Sequence, residues 1–376
     1  MVNTGIISTF LPTRCGIATY VADVIRSLGS ISSQLKFTNI ELLHPPYHSP
    51  NKNYIIRNNE AKDYLTASQY INESNINIVD IQHEFKIFGK PDGENISILL
   101  NHVKKPIITT LHTVFPSPSE QREKILFEIV KRSDILYVFS NAAKDHLADK
   151  YKKPTSKIEV IPHGVPSIEF KKPEQIPERK NIPASIVFVS AGHMRETKGY
   201  EIALNALHSL KKEIPGFQYF ILGSNHPENE TAQSYRQTLL KLIAELDLSD
   251  QIIFVSDYLE HEDFIKYIQL ADIGLLPYTR EGQSSSGVLS LMLASGRPVV
   301  STPLHFATSQ VTDLSGTLSD AFDISGFKEA IRALINKRHL WGELSQYNHA
   351  LGQTWNWKNV AKQYIHGYRK LTGNSC

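Results

Sequence analysis

Along residues 1–165, short apolar runs alternate with segments whose apolar positions recur at helical spacing. The runs at 4–10 (TGIISTF), 36–43, 76–82 (INIVDIQ), 106–111 (PIITTL), 134–139 (DILYVF) and 157–161 predict strands. Between them, 17–28, 119–132 and 141–150 predict helices; Ile125 with Ile129 and Leu126 with Val130 mark one apolar face. Such alternation implies a parallel sheet covered on both faces. A second series has strands at 185–190, 217–222, 251–255, 272–276 and 297–301, and 355–371 reads as a closing helix. Between the two series, 166–184 places Pro166, Pro173, Pro177 and Pro183 among charges and predicts a linker. The expected organisation is a first domain over 1–165, the linker 166–184, a second domain over 185–353, and a terminal segment 354–376. The fold class is α/β, with two Rossmann-like doubly wound domains whose strand ends face a central cleft.

The second series carries the most specific chemistry. The stretches AGHMRETKGYEIALNAL (191–207) and ADIGLLPYTREGQSSSGVLSLMLASGRPVVST (271–302) each read as strand, polar loop and amphipathic helix. Arg195 and Lys198 lie in the first loop; Ser284, Ser285, Ser286 and Gly287 precede a helix in the second. Small residues and backbone N–H groups at a helix start suit an anion, so two such loops predict a diphosphate clamp. Lys198 can instead be a solvated cation, but a lysine at a helix start opposes the dipole and calls for an anionic partner. The serine cluster can be mere capping, although three serines and a glycine exceed what a cap requires. His193 can donate to a phosphate or pack beneath its loop. Tyr278 either faces the site or covers the strand end, and Val288 begins the helix beside it.

Order and spacing here resemble the nucleotide-sugar half of the group 1, glycogen-synthase-like glycosyltransferases. Gly192, Lys198 and Gly199 match that family's first motif; Ala271, Asp272, Pro277, Gly296, Pro298, Val299 and Val300 match the later ones. His193 replaces the family arginine, with Arg195 two residues on. Gln283 and Leu291 stand where the family has paired glutamates, so the chain resembles a variant branch without them. Gln283 can bond sugar hydroxyls but carries no negative charge; Glu281, two residues away, is the alternative carboxylate. Leu291 cannot bond a ribose. The resemblance implies GT-B architecture, a C-terminal helix carrying Trp357 that packs back on the first domain, and transfer with retention of configuration.

In the first domain, FLPTRCGIATY (10–20) is a strand-end loop entering a helix, with Gly16 at the turn and Arg14 before it. An ordinary turn and a solvated arginine are the bland alternatives; in the resembled enzymes this loop faces donor phosphates and acceptor. His83 and Glu84 follow a buried-looking strand and are acceptor-side candidates, with packing for His83 and capping for Glu84 as the alternatives. His112, after PIITTL, is the leading catalytic candidate, because it matches the histidine that group 1 enzymes place near the donor sugar. His163 in IPHGVP reads as part of a hinge. Base recognition falls to backbone around Gly223–Ser224 and Tyr258–Leu259.

Composition narrows the class without changing the reading. Hydrophobic residues make up 41% and charged residues 21%, the balance of an ordinary globular protein. A net charge of +2 does not point to nucleic acid. No apolar run reaches the ~20 residues of a membrane helix. The start has no signal-like pattern, and two cysteines, Cys15 and Cys376, set no disulfide framework. The cytoplasm is the expected compartment; small basic clusters at 151–157 and 211–217 allow contact with the inner membrane face, although solvation explains them better. No Asp-x-Asp occurs, so no metal and no cofactor are expected, and protein cations would meet the diphosphate charge. The function implied is transfer of a hexose-like sugar from a nucleoside-diphosphate sugar to a saccharide or glycolipid hydroxyl. A nucleotide-sugar 2-epimerase of the same fold and a catalytically silent nucleotide-sugar-binding subunit are the alternatives.

Overall fold

The structure is a computed structural model that describes all residues except 14, 44–48, 50–52, 90, 224–229, 256–258, 280–285 and 374–376. The described residues fall into two units: one up to Gly164 and again from Asn356, the other from Val165 to Trp355.

The first unit holds strands β1 (Val2–Ser8), β2 (Leu35–Leu43), β3 (Tyr54–Arg57), β4 (Ile78–His83), β5 (Ile107–Leu111), β6 (Ile135–Val138) and β7 (Ile158–Val160). Its helices are α1 (Gly16–Ile31), α2 (Ala61–Glu73), α3 (Ile96–His102), α4 (Glu120–Arg132), α5 (Asn141–Tyr151) and, from the far end of the chain, α13 (Trp357–Thr372). The sheet order is β3-β2-β1-β4-β5-β6-β7, with all strand pairs parallel. Alternation along the strands sends Ile7, Ile81 and Leu111 to a core shared with α2, α3, α4 and α5. Ile6, Ile78, Ile108 and Tyr137 go to the opposite core, under α1 and α13. Helix α13 buries Val360, Ala361, Tyr364, Ile365 and Tyr368 on one face, the three-and-four spacing of an amphipathic helix. It lies so close to the sheet at Gly367 that a Cβ there would collide with the Tyr137 hydroxyl.

The second unit holds β8 (Ile186–Ala191), β9 (Phe217–Leu222), β10 (Ile252–Val255), β11 (Ile273–Leu276), β12 (Val299–Ser301) and β13 (Gly316–Leu318). Its helices are α6 (Tyr200–Leu210), α7 (Glu230–Glu245), α8 (His261–Leu270), α9 (Gly287–Ala294), α10 (His305–Gln310), α11 (Ile324–Asn336) and α12 (Trp341–Thr354). The order β10-β9-β8-β11-β12-β13 is again all parallel. Helices α6, α7 and α11 cover one face and α8, α9 and α10 the other. Both sheets are therefore doubly wound. No described helix is long and apolar enough to cross a membrane.

Two differences from the sequence reading stand out. Strands β3 and β13 were not expected; they are short edge strands, too brief for a periodic signal. The segment 166–184, expected as a linker between the domains, groups with the second unit. Arg179 bonds the carbonyls of Ile182 and Ala184 and pairs with Asp272 at 3.1 Å. The guanidinium of Arg297, almost wholly buried, donates to the carbonyls of Lys171, Gln269, Ala271 and Ser295. Burial pushes its pKa down to about 10.

Candidate functional site

Strands β8 and β11 pair side by side, so the loops leaving their carboxyl ends emerge together. The Thr279 hydroxyl donates to the Glu196 carbonyl at 3.2 Å and the Thr279 amide to the Thr197 carbonyl at 3.2 Å. Gly199 closes the 3-10 turn Glu196–Lys198 with φ 61°, and a Cβ there would collide with the Pro277 carbonyl. Only glycine combines that left-handed backbone with that approach. Met194 points inward, and its flanking residues His193 and Arg195 are exposed. The packing alternative thus belongs to Met194 and not to His193.

The Lys198 ammonium lies 4.1 Å from the centroid of the Tyr278 ring, a cation–π distance. Tyr278 is buried, and its hydroxyl is 3.2 Å from the Ser286 Oγ. Ser286 in turn caps α9, accepting from the Leu289 amide at 3.2 Å. The Thr302 hydroxyl donates to the Tyr278 carbonyl at 2.7 Å and fixes its backbone. One tyrosine therefore links the cation of the first loop to the start of the helix after the second. Gly287 and Val288 form the first turn of α9 and are half-buried. Neither Arg195 nor Lys198 forms an ion pair with another described residue. Cations without carboxylate partners beside a helix start are chemically able to take an anion. Asp272, though part of the same motif, precedes β11 at its other end and accepts from the Val187 amide at 2.7 Å, so it is structural.

In the first unit, His112 lies just beyond β5 and is 8% exposed. Its Nε2 is 2.9 Å from the Gln82 Oε1, and its ring meets Tyr20 edge-on at 4.9 Å. Burial holds its pKa down at about 3, so the ring is neutral at ordinary pH. The Glu84 carboxylate caps the 3-10 turn Phe85–Phe88 through the Phe85 amide at 3.1 Å and accepts from the Thr113 hydroxyl at 2.5 Å. Glu84 thereby ties the loop after β4 to the loop after β5, in keeping with its capping alternative. His83 is fully buried between Phe85 and Phe88, and neither ring nitrogen meets a hydrogen-bond partner among the described residues. Its reading as an acceptor-side group is corrected: the two phenyl rings seal it beneath the loop. Gly16 opens α1 and is exposed, with no described atom within 4 Å of where a Cβ would stand, so packing among the described residues does not require glycine there. His163 donates to the Gly164 carbonyl at 3.1 Å beside Trp357, at the border of the unit.

Arg14, Ser224, Tyr258, Glu281, Gln283, Ser284 and Ser285 lie outside the described residues. Leu291 packs half-buried in the apolar layer beneath α9. Among the described residues no group of three His, Cys, Asp or Glu side chains could hold a metal ion. The sequence reading missed Asp80, Gln82, Tyr364 and Tyr368: Gln82 meets His112, Asp80 and Tyr364 meet Gln82, and Tyr368 meets Asp80. Asp80 and Gln82 interrupt an apolar run at a spacing of two, a signal for polar groups on one buried face.

Residues 171–351 match the family of glycosyl transferases group 1, and residues 41–167 match glycosyltransferase family 4. The D-inositol 3-phosphate glycosyltransferase of Acidothermus cellulolyticus is 25% identical over 284 residues, 70% of this chain and 62% of that protein. The corresponding protein of Nocardioides sp. is 21% identical over 65% of this chain and 55% of its own length. The chain thus aligns to less than two thirds of the length of each of these curated relatives. Among solved structures, sucrose-phosphate synthase from Thermosynechococcus elongatus superposes with a TM-score of 0.79 at 19% identity, covering 100% of both chains. Anabaena HepE in complex with UDP gives 0.77 at 13% identity, covering 99% of this chain and 100% of its own. The doubly wound pair of sheets is the fold of these neighbours, and the chain belongs to the group 1 glycosyltransferases, with a two-domain GT-B fold.

Proposed function

We propose that the protein transfers a hexose-like sugar from a nucleoside-diphosphate sugar to an acceptor hydroxyl, with retention and without a metal ion. The carrying observation is the Lys198–Tyr278–Ser286 chain, which joins a cation to the capped start of α9. In this reading Lys198, Arg195 and the first amides of α9 stabilise the diphosphate as the bond to the anomeric carbon breaks. The anomeric carbon bonds to the acceptor oxygen, and the acceptor proton passes to the leaving phosphate. His112 orients the donor sugar, Gln283 bonds its hydroxyls, and Gly16 leaves room for the ligand at the start of α1. The relatives solved with UDP and UDP-glucose make uridine nucleotides the first donors to try.

A silent nucleotide-sugar-binding role is the second reading, favoured by one observation: Leu291, at a family glutamate position, is part of an apolar layer. Lys198→Ala separates the two. For a transferase it should lower turnover about 10²–10³-fold, the scale for one preorganised electrostatic group, with folding unchanged. Full activity in this variant would remove the diphosphate role, and donor binding by wild-type protein without transfer or hydrolysis would favour the silent binder. Chelator should leave transfer intact; activity lost to EDTA and restored by Mg²⁺ or Mn²⁺ would overturn the metal-free account.

A further inference from the structure

Beneath His112 runs a buried chain of polar groups that the proposed chemistry does not by itself require. Asp80 and Gln82 stand two apart on β4 and so share one face; Gln82 is in register with Thr110 on β5, two residues before His112. The Asp80 Oδ2 accepts from the Tyr368 hydroxyl at 2.6 Å, and its Oδ1 accepts from the Gln82 Nε2 at 2.7 Å. The Gln82 Oε1 then faces the His112 Nε2 at 2.9 Å. Asp80, Gln82 and Tyr368 are at most 1% exposed. Beside this chain, the Tyr364 hydroxyl meets the Thr110 Oγ1 at 2.8 Å and the Tyr20 hydroxyl at 3.2 Å.

Each link has only one polarity. A carboxylate can only accept, so the amide nitrogen of Gln82 must face Asp80 and its oxygen must face His112. An amide oxygen can only accept, so the His112 Nε2 must carry the proton. Burial keeps the imidazole neutral with a single proton, which leaves Nδ1 with a lone pair. Burial raises Asp80 to about 6, below the pH of a neutral assay, so the carboxylate at the head of the chain is charged there. Tyr20, edge-on to the imidazole at 4.9 Å, and Phe139, at 5.3 Å, hold the ring plane.

We propose that Asp80 and Gln82 are positioning residues that fix His112 as the Nε2–H tautomer, so that any hydrogen bond at Nδ1 is one the ring accepts. The tautomer does not depend on the donor-orienting role given to His112 above. Tyr368 completes the relay, so the C-terminal helix helps to set the protonation of a residue more than two hundred positions earlier in the chain.

The test is nitrogen-15 NMR of histidine-labelled protein at pH 7.5, with the His112 signals assigned by their loss in His112→Asn. The expected wild-type pattern is a protonated Nε2 and an unprotonated Nδ1. In Gln82→Met, nearly isosteric and apolar, the pattern should move toward a tautomer mixture while near-UV circular dichroism stays native. Asp80→Asn, which lets the Gln82 amide turn either way, should shift it in the same direction. A wild-type Nδ1–H tautomer, or an unchanged His112 pattern in folded Gln82→Met, would overturn the proposal. The spectra need no turnover, so absence of transferase activity in the wild type would count against the proposed function and leave the tautomer result standing.

Discussion

The two units solve opposite problems with the same doubly wound scaffold. The second unit keeps the two cations of its paired loops outward: Arg195 is exposed and Lys198 half-exposed, with the Lys198 ammonium over the ring of buried Tyr278. The first unit keeps its titratable groups inward. His112, His83 and Asp80 are buried, the histidines are held neutral, and Asp80 is held by hydrogen bonds. Charge that must meet a charged ligand stays solvated until the ligand arrives, which avoids the cost of burying an unpaired ion. Neutral groups that only have to point correctly can be buried and locked. Substitution of Lys198 or Arg195 should therefore cost activity with little stability, and substitutions along the Asp80–Gln82–His112 chain should move both.

The largest effect expected from this contrast is Lys198→Ala, with its loss of about 10²–10³-fold in turnover and an unchanged urea midpoint. A shift in both would place Lys198 in the fold and blur the contrast. Acid should act on the other unit. His83 and His112 are each depressed to about 3, so the unfolded chain binds more protons below its ordinary histidine value near 6.5. Stability is then lost as pH falls from about 6.5 toward 3. Asp80, raised to about 6, acts in the opposite sense, because the folded state holds its proton more tightly between about 4 and 6. His163, held down at about 4 by burial, adds to these two histidines; with three histidines against one carboxyl, the net loss from pH 7.5 to 5.5 is about 3 kcal/mol. Urea titrations at the two pH values read it directly; equal stabilities would mean that these histidines are not held neutral.

Smaller changes sharpen the comparison. Tyr278→Phe keeps the ring under Lys198 but removes the hydroxyl that meets Ser286. It should cost about 1 kcal/mol, roughly fivefold in kcat/KM, and Tyr278→Leu should cost more by removing the ring as well. Equal activities for the two would show that the ring contact is idle. At the small end, His83→Phe replaces a buried ring with no hydrogen-bond partner among the described residues by an apolar ring of similar shape. Stability should hold or rise by up to about 1 kcal/mol, and transfer should persist. Loss of transfer with a stable fold would restore a functional role to His83.

Much of this contrast was legible in the sequence, because buried parallel strands read as short apolar runs and ligand loops follow them. INIVDIQ and PIITTL mark β4 and β5, and His112 is conspicuous as a polar residue at a strand's exit. The loops at 192–199 and 277–286 were likewise visible from Lys198, Gly199 and Pro277. What escaped depends on partners distant in sequence. Proline and charge made 166–184 look like a linker, yet the Arg179–Asp272 pair and the four carbonyls around Arg297 fasten it to the second unit. Asp80 shares a strand face with Gln82 by spacing alone, but its partner Tyr368 lies 288 positions later. Met194 looked no different from its neighbours in a polar loop, although its inward turn is what leaves His193 and Arg195 exposed.

The central claim is that the paired loops of the second unit receive a nucleoside diphosphate through Lys198. Thermal unfolding of wild type and Lys198→Ala against a panel of nucleoside diphosphates, with the parent nucleosides as controls, tests it most directly. At about 100 times its dissociation constant, the matching diphosphate should stabilise the wild type by about 2.7 kcal/mol. The nucleoside should do much less, and Lys198→Ala should lose most of the shift at the same concentration. Stabilisation by no diphosphate, or an equal shift in both proteins, would contradict the account.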